Sequence, residues 1–345
     1  MNTKSPAQIA YALAILSALS ATTGTAAEEW QGDNRFSVDG VVGLNFKASF
    51  RNLQAPVVIP DPAAGGQVTR TYDNGFVGVD ASDNAGNTTT FWGFDTTRGA
   101  TSDGLPGGTV VLTSAPQSPS LGATVHADDK PQAGVELGYA RRLFRFGKKS
   151  KVQFNVGVEG GFSFMDLAIH ESATISGNAV TVDTYNLAPG NSVLGSSYTG
   201  SFFGPGPLLG SIPGRSYLPG TALVENRLDG HLLGFKLGPV LELLVGNRVA
   251  FTVSGGFSAV AVDATYNNTE VFMGTRSTDS ADLNEWGLGG YLKGGIIVRL
   301  NPHWLVQAGV QYQNVGLFSA TAANHNAQLD LRDALLISFG LGYSF

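Results

Sequence analysis

The chain of 345 residues has no cysteine, which excludes disulfides, thiolate metal sites and a cysteine nucleophile. Charge is scarce as well, at 14% of residues against ~25% in ordinary soluble domains. Bases do not outnumber acids: 21 Lys and Arg face 27 Asp and Glu, so nothing suggests a nucleic-acid partner. No apolar run reaches the ~20 residues of a spanning helix. No glycine-rich phosphate loop follows a strand and opens a helix. His126, His231, His303 and His325 form no metal spacing. No cofactor is expected.

What fills the chain is alternation. In the last stretch, Leu335, Ile337, Phe339, Leu341, Tyr343 and Phe345 fall on one face of a strand. Leu336, Ser338, Gly340, Gly342 and Ser344 fall on the other. One side is wholly apolar and the other mostly small or polar. The same pattern marks seven more segments: Phe36 to Phe50, Gln132 to Phe146, Lys151 to about Ile169, Gly230 to Val245, Arg248 to Tyr266, Glu285 to Leu300, and His303 to Phe318. Mean hydropathy is close to zero, as it is when greasy and wet faces cancel. Connections alternate between short and long. Gly147 to Ser150, Gly246-Asn247 and Asn301-Pro302 are short; about 52–130, about 171–228, Asn267 to Asn284 and Ala322 to Asp330 are long. A soluble sandwich needs no such alternation, nor an apolar face on every strand.

The terminal strand resembles the last strand of the outer-membrane β-barrel proteins of Gram-negative-type bacteria. That strand ends in Phe, with an aromatic two residues earlier, and is read by the barrel-assembly machinery. The resemblance implies an all-β, antiparallel up-and-down transmembrane barrel of about eight strands. It implies periplasmic termini, extracellular long loops, and Phe339, Leu341, Tyr343 and Phe345 as the assembly signal. The run from Tyr72-Asp73-Asn74-Gly75-Phe76-Val77 through Asn84-Ala85-Gly86 to Phe91-Trp92-Gly93-Phe94 looks like a segment common in an uncharacterised barrel family of environmental bacteria, which implies no activity.

The N-terminus reads as a secretory signal over residues 1–27. Lys4 supplies positive charge, Ile9 to Leu19 a short apolar core, and Thr25-Ala26-Ala27 small residues for cleavage before Glu28. Residues 28–345 then form the barrel, with large insertions at about 52–130 and 171–228. Gly75 to Val79 and Thr109 to Leu112 are too short to span a bilayer and read as hairpins above it. Aromatics fall at two rims: Phe36, Phe154, Phe251, Trp304, Tyr343 and Phe345 below, and Phe50, Phe162, Phe164, Trp286 and Tyr312 above.

The expected lumen faces carry Asp39, Lys47, Glu136, Arg142, Glu159, Lys236, Glu242, Glu285, Lys293 and Arg299. Eight strands enclose a space that side chains fill. Both signs are present, so a salt-bridged plug is expected, with a small-solute pore as the alternative if the strands number ten or more. His170 and Ser172 share a strand face, and a Ser beside a His base can attack an ester. The pair resembles the His-x-Ser of the outer-membrane lipid A deacylases, which are also eight-stranded. It departs from them at Ala173, where that family has Asn, and no acidic partner can be named from sequence. Asp80, Ser82 and Asn84 space oxygen ligands as in a calcium loop, but Gly86 is one place late and no bidentate Glu follows. The reading is a non-catalytic structural or surface-interaction barrel. Its expected partners are outer-membrane lipid, the assembly machinery and an unidentified extracellular ligand.

Overall fold

The computed structural model describes residues 32–55, 69–79, 86–115, 120–127, 130–146, 152–193, 196–201, 204–272 and 274–345. The expected signal segment, the Gly147 to Ser150 turn and the Asp80, Ser82 and Asn84 triplet lie outside them. Eight strands close a ring: β1 (Asn34–Leu44), β2 (Gln132–Phe146), β3 (Val152–Asn186), β4 (Gly214–Val245), β5 (Val249–Phe272), β6 (Thr275–Arg299), β7 (Trp304–Asn314) and β8 (Ala334–Ser344). Each pairs antiparallel with its sequence neighbour. β8 closes the cylinder on β1, with Phe36 opposite Tyr343 and Val42 opposite Ile337. Closure leaves no unpaired edge, which lipid would penalise at several kcal/mol per orphaned backbone group. Residues 101–102 and 109–114 extend the same sheet beyond the ring by pairing on the far end of β3.

The strands differ in length. β1, β7 and β8 have 11 residues each and β2 has 15, whereas β3 to β6 have 35, 32, 24 and 25. A bilayer needs ~9–11 residues per strand. One half of the ring therefore stops at membrane length, while the other half rises as a wall well past it.

The expected first strand is two strands. It breaks at Asn45, in the left-handed region at φ 61°, and resumes as Lys47–Ala55 in a second sheet. The expected seventh strand breaks at Gly316, at φ 121°, and resumes as Leu317–Ala322. The predicted loop Ala322 to Asp330 holds the returning strand His325–Asp330, which leads into β8, and Ser120–Ala127 precedes β2. These four strands form one sheet in the order 317–322, 325–330, 47–55, 120–127. That order is the barrel order β7, β8, β1, β2. The short half of the ring thus bends inward and continues as a lid against the inner face of the wall.

Each break shifts the phase of alternation. Phe36, Val38 and Val42 are exposed on β1, yet Phe46, Ala48 and Phe50, of the same parity, are buried after Asn45. Val310 and Tyr312 are exposed, yet Phe318, Ala320 and Ala322 are buried after Gly316. A one-residue slip flips every side chain to the other face of a strand. The expectation that Phe50 belongs to the outer aromatic rim is corrected accordingly: it stacks on Tyr266 inside, with ring centroids 5.7 Å apart.

The predicted loops 171–228 and 267–284 are also largely strand. They are the wall extensions of the β3–β4 and β5–β6 hairpins. The period-2 pattern of β3 to β6 buries Leu167, Ile169, Val224, Leu228, Val262 and Leu283 under the lid with Phe50, Phe318 and Leu329. The Pro-rich stretch around Pro205 and Pro207 carries no ladder, as its composition implies. Past the lid, Thr69–Tyr72, Gly75–Gly78, Trp92–Phe94 and Tyr198–Thr199 form a small sheet above the barrel. Its core includes Trp92, Phe94, Leu112 and Tyr185.

Candidate functional site

Alternation along β1 to β8 sorts side chains into a lumen and an outer band. The outer band is apolar over the membrane-length part of every strand. It includes Leu137, Phe162, Phe235, Phe257, Leu292, Val310 and Phe339, the last 62% exposed. Aromatics cluster at the turn end, where Trp304 and Tyr343 meet edge to face at 5.3 Å and His303 stacks on Tyr343. At the other end Trp286 is 71% exposed and Tyr312 donates to Asp333. A closed cylinder with such a girdle has no soluble explanation, because those side chains would face water. The chain is a transmembrane β-barrel of the outer-membrane type.

Inside the barrel, charges pair. Lys236 Nζ lies 2.8 Å from Glu136 Oε1 and 2.8 Å from Gln311 Oε1. Lys293 Nζ reaches the same Glu136 oxygen at 3.4 Å. Glu159 accepts hydrogen bonds from Ser254 and Tyr291. Asp39 accepts from Gln307 at 2.7 and 2.9 Å and from Ser37. Nearer the turn end, Arg35 bonds Glu242 at 2.5 Å, Arg142 Nε lies 3.2 Å from Asp33, and Arg299 donates to the Asn301 carbonyl. Glycines across the barrel make room for this packing. A Cβ at Gly340 would sit 2.3 Å from Asp39 Oδ1, and one at Gly161 would sit 2.9 Å from Lys236 Cε. A cavity of about 40 Å³ remains among Arg35, Glu136, Glu159, Lys236 and Lys293, enough for little more than ordered water.

Eight of the ten expected lumen charges take their places here, and two do not. Lys47 lies beyond the Asn45 break, in the lid sheet opposite Asp330. Glu285 is exposed and accepts from the Ser319 backbone N–H of the lid. Both were phased by an alternation that is right for the strand but blind to where the cylinder ends. Arg35, Asn155 and the neutral Gln307 join the network; their inward parity was the available signal.

On the outer face, three pairs stand above the lipid band on β3 and β4. His231 Nδ1 lies 3.1 Å from Asp166 and packs on Phe164; His170 Nε2 lies 2.5 Å from Asp229; Arg227 pairs with Glu225. Asp229 is the acidic partner that sequence could not supply, because it comes from the neighbouring strand. Ser172 makes no hydrogen bond to His170, and it lines a shallow groove of about 340 Å³ with Leu223, Val271 and Arg276. Higher still, a buried knot joins Asp183 to Arg215 at 2.6 and 2.7 Å, with Tyr72 donating to Asp183. Burial first, and then Asp183, hold the Tyr72 phenol far above its ordinary range. Among the described residues, no group of three metal-ligating side chains converges.

No family model and no curated protein matches this barrel in sequence. Solved structures match it as whole chains. The attachment invasion locus protein Ail of Yersinia pestis is 9% identical, covering 89% of this chain and 98% of its own, with a TM-score of 0.26. OprG of Pseudomonas aeruginosa is 12% identical over 93% and 99%, at 0.31. The outer membrane protease OmpT of Escherichia coli is 13% identical over 93% and 100%, at 0.32.

Proposed function

We propose that the chain is an integral outer-membrane barrel with a sealed lumen and no catalytic role. It would carry a folded surface domain that meets a partner outside the cell. The single observation behind this reading is the double closure. Paired charges fill the membrane-level lumen, and the lid packs an apolar core above them. Water and ions need a continuous polar path, and burying an ion among Leu167, Phe318 and Leu329 is costly. The chain enters and leaves the barrel at the short-turn end, where Arg35 opposes Ser344. In this reading that end is periplasmic, and Phe339, Leu341, Tyr343 and Phe345 form the strand that the assembly machinery reads. The pore alternative required ten or more strands in the ring. Protein reconstituted in a planar bilayer should pass no steady current; a stable conductance overturns the reading.

The His170–Asp229 pair favours a second reading, ester hydrolysis on outer-leaflet lipid with Ser172 as nucleophile. Mass spectrometry of outer-leaflet lipid with and without expression decides it. An unchanged acyl pattern leaves the first reading, and acyl loss abolished by Ser172→Ala establishes the second.

A further inference from the structure

At the top of the seal, the 317–330 hairpin turns at Ala323, at φ 50°, and buries His325 against the wall. Its Nδ1 lies 2.9 Å from the Asn52 carbonyl oxygen and 3.8 Å from Glu270 Oε1 on β5. Its Nε2 lies 3.4 Å from Asp279 Oδ2 on β6. Every one of these atoms is an acceptor. A neutral imidazole carries one N–H and one lone pair, so either tautomer turns a lone pair onto an oxygen. Only the doubly protonated ring donates on both sides.

Glu270 raises the stakes, because it is 0% exposed. Its Oε1 accepts the Gln54 backbone N–H at 3.1 Å, while its Oε2 has no hydrogen-bond partner. Among the described residues His325 is the one basic side chain within 4 Å of it. The other charged groups of the surrounding elements look elsewhere. Arg51, on the 47–55 strand, is exposed and donates to Gln328; Arg276, on β6, lines the outer groove; His126, on the 120–127 strand, is exposed. Asp263 on β5 and Asp282 on β6 are exposed, Glu285 accepts from the Ser319 N–H, Lys47 lies opposite Asp330 in the lid sheet, and Tyr266 and Asn268 both donate to Asn226 Oδ1 at 3.0 Å.

We propose that His325 is a proton-controlled latch between the lid hairpin and the β5–β6 wall. Charged, it clasps Glu270 and Asp279 from one point and holds the hairpin tip down. Neutral, it turns a lone pair to Asp279 and leaves Glu270 buried without a counter-charge, so the tip loosens. The apolar core beneath keeps the lumen shut in both states. Histidine is the side chain that changes charge between about pH 5 and 8, so the outward surface of the barrel changes its mobility with the acidity outside.

The test is hydrogen exchange of the protein folded in phospholipid vesicles, at pH 5.5 and 8.5, with rates referred to intrinsic exchange. Charge-assisted hydrogen bonds are the strong ones, so protection of amides 323–329 should fall about tenfold or more at the higher pH. Protection across β8 should not change. His325→Gln should show low protection at both pH values, and His325→Lys should keep it high at both. Glu270→Gln, which removes one of the two carboxylates, should shrink the dependence. Equal wild-type protection at the two pH values, or a dependence that survives His325→Gln, overturns the proposal.

Discussion

At the scale of the residue, the lumen is decided by who shares a partner. Glu136 holds two cations, Lys236 and Lys293, whereas Lys236 holds one anion and the Gln311 amide. Removing Lys236 leaves Glu136 with Lys293, but removing Glu136 leaves two buried ammonium groups facing each other. Glu136→Ala should therefore destabilise the barrel by about 3–5 kcal/mol, the cost of orphaned buried charge. Lys236→Ala should cost less. Urea unfolding in lipid vesicles measures both, and the reverse order would show that the Glu136 cluster is not the packing centre of the lumen. The rim pairs on β3 and β4 are half open to water, and such pairs contribute little to stability.

At the scale of the element, β1 and β7 stop at membrane length because their backbone turns at Asn45 and Gly316. Asn45 adopts φ 61° and its Nδ2 donates to the Asp333 carbonyl at 2.7 Å, which ties the end of β1 to the start of β8. A β-branched residue cannot take that conformation without strain. Asn45→Val should cost about 1–3 kcal/mol and loosen the lid relative to the barrel, whereas Asn45→Gly should lose only the side-chain bond. The same unfolding assay, with proteolysis as a probe of the lid, separates the two variants. A Val variant as stable as wild type would mean that the break is imposed by packing of Phe46 and Phe50 rather than by the turn.

At the scale of the whole molecule, the barrel is asymmetric along its axis. The long β1–β2, β3–β4 and β7–β8 connections and the top of the β5–β6 wall lie at one end, and the β4–β5 and β6–β7 turns at the other, so orientation can be tested without disturbing the core. The chain has no cysteine, and a single one introduced anywhere is the sole target of a thiol reagent. Cysteine at Leu105, an exposed position in the upper domain, should react with a membrane-impermeant reagent on intact cells. Cysteine at Asn247, in the β4–β5 turn, should react only after the outer membrane is breached. The opposite pattern would invert the barrel and with it the proposed surface role.

The sequence by itself determined the eight-fold alternation, the closing pair of first and last strands, and most of the inward charges. Each is a local or strictly periodic property: a strand's parity can be read wherever one face is apolar and the other is not. It did not show where the cylinder ends. Phe50 and Phe318 are apolar at the right period for lipid, and period alone does not say whether lipid or another sheet covers them. Nor did it show partners drawn from neighbouring strands, such as Asp229 for His170 or Glu270 and Asp279 for His325. Register across long hairpins sets those meetings, and it exists only once the wall has formed. Tertiary structure alone decided that half the ring bends inward, because a long apolar wall rising past the membrane must be covered, and the nearest cover is the chain's own continuation.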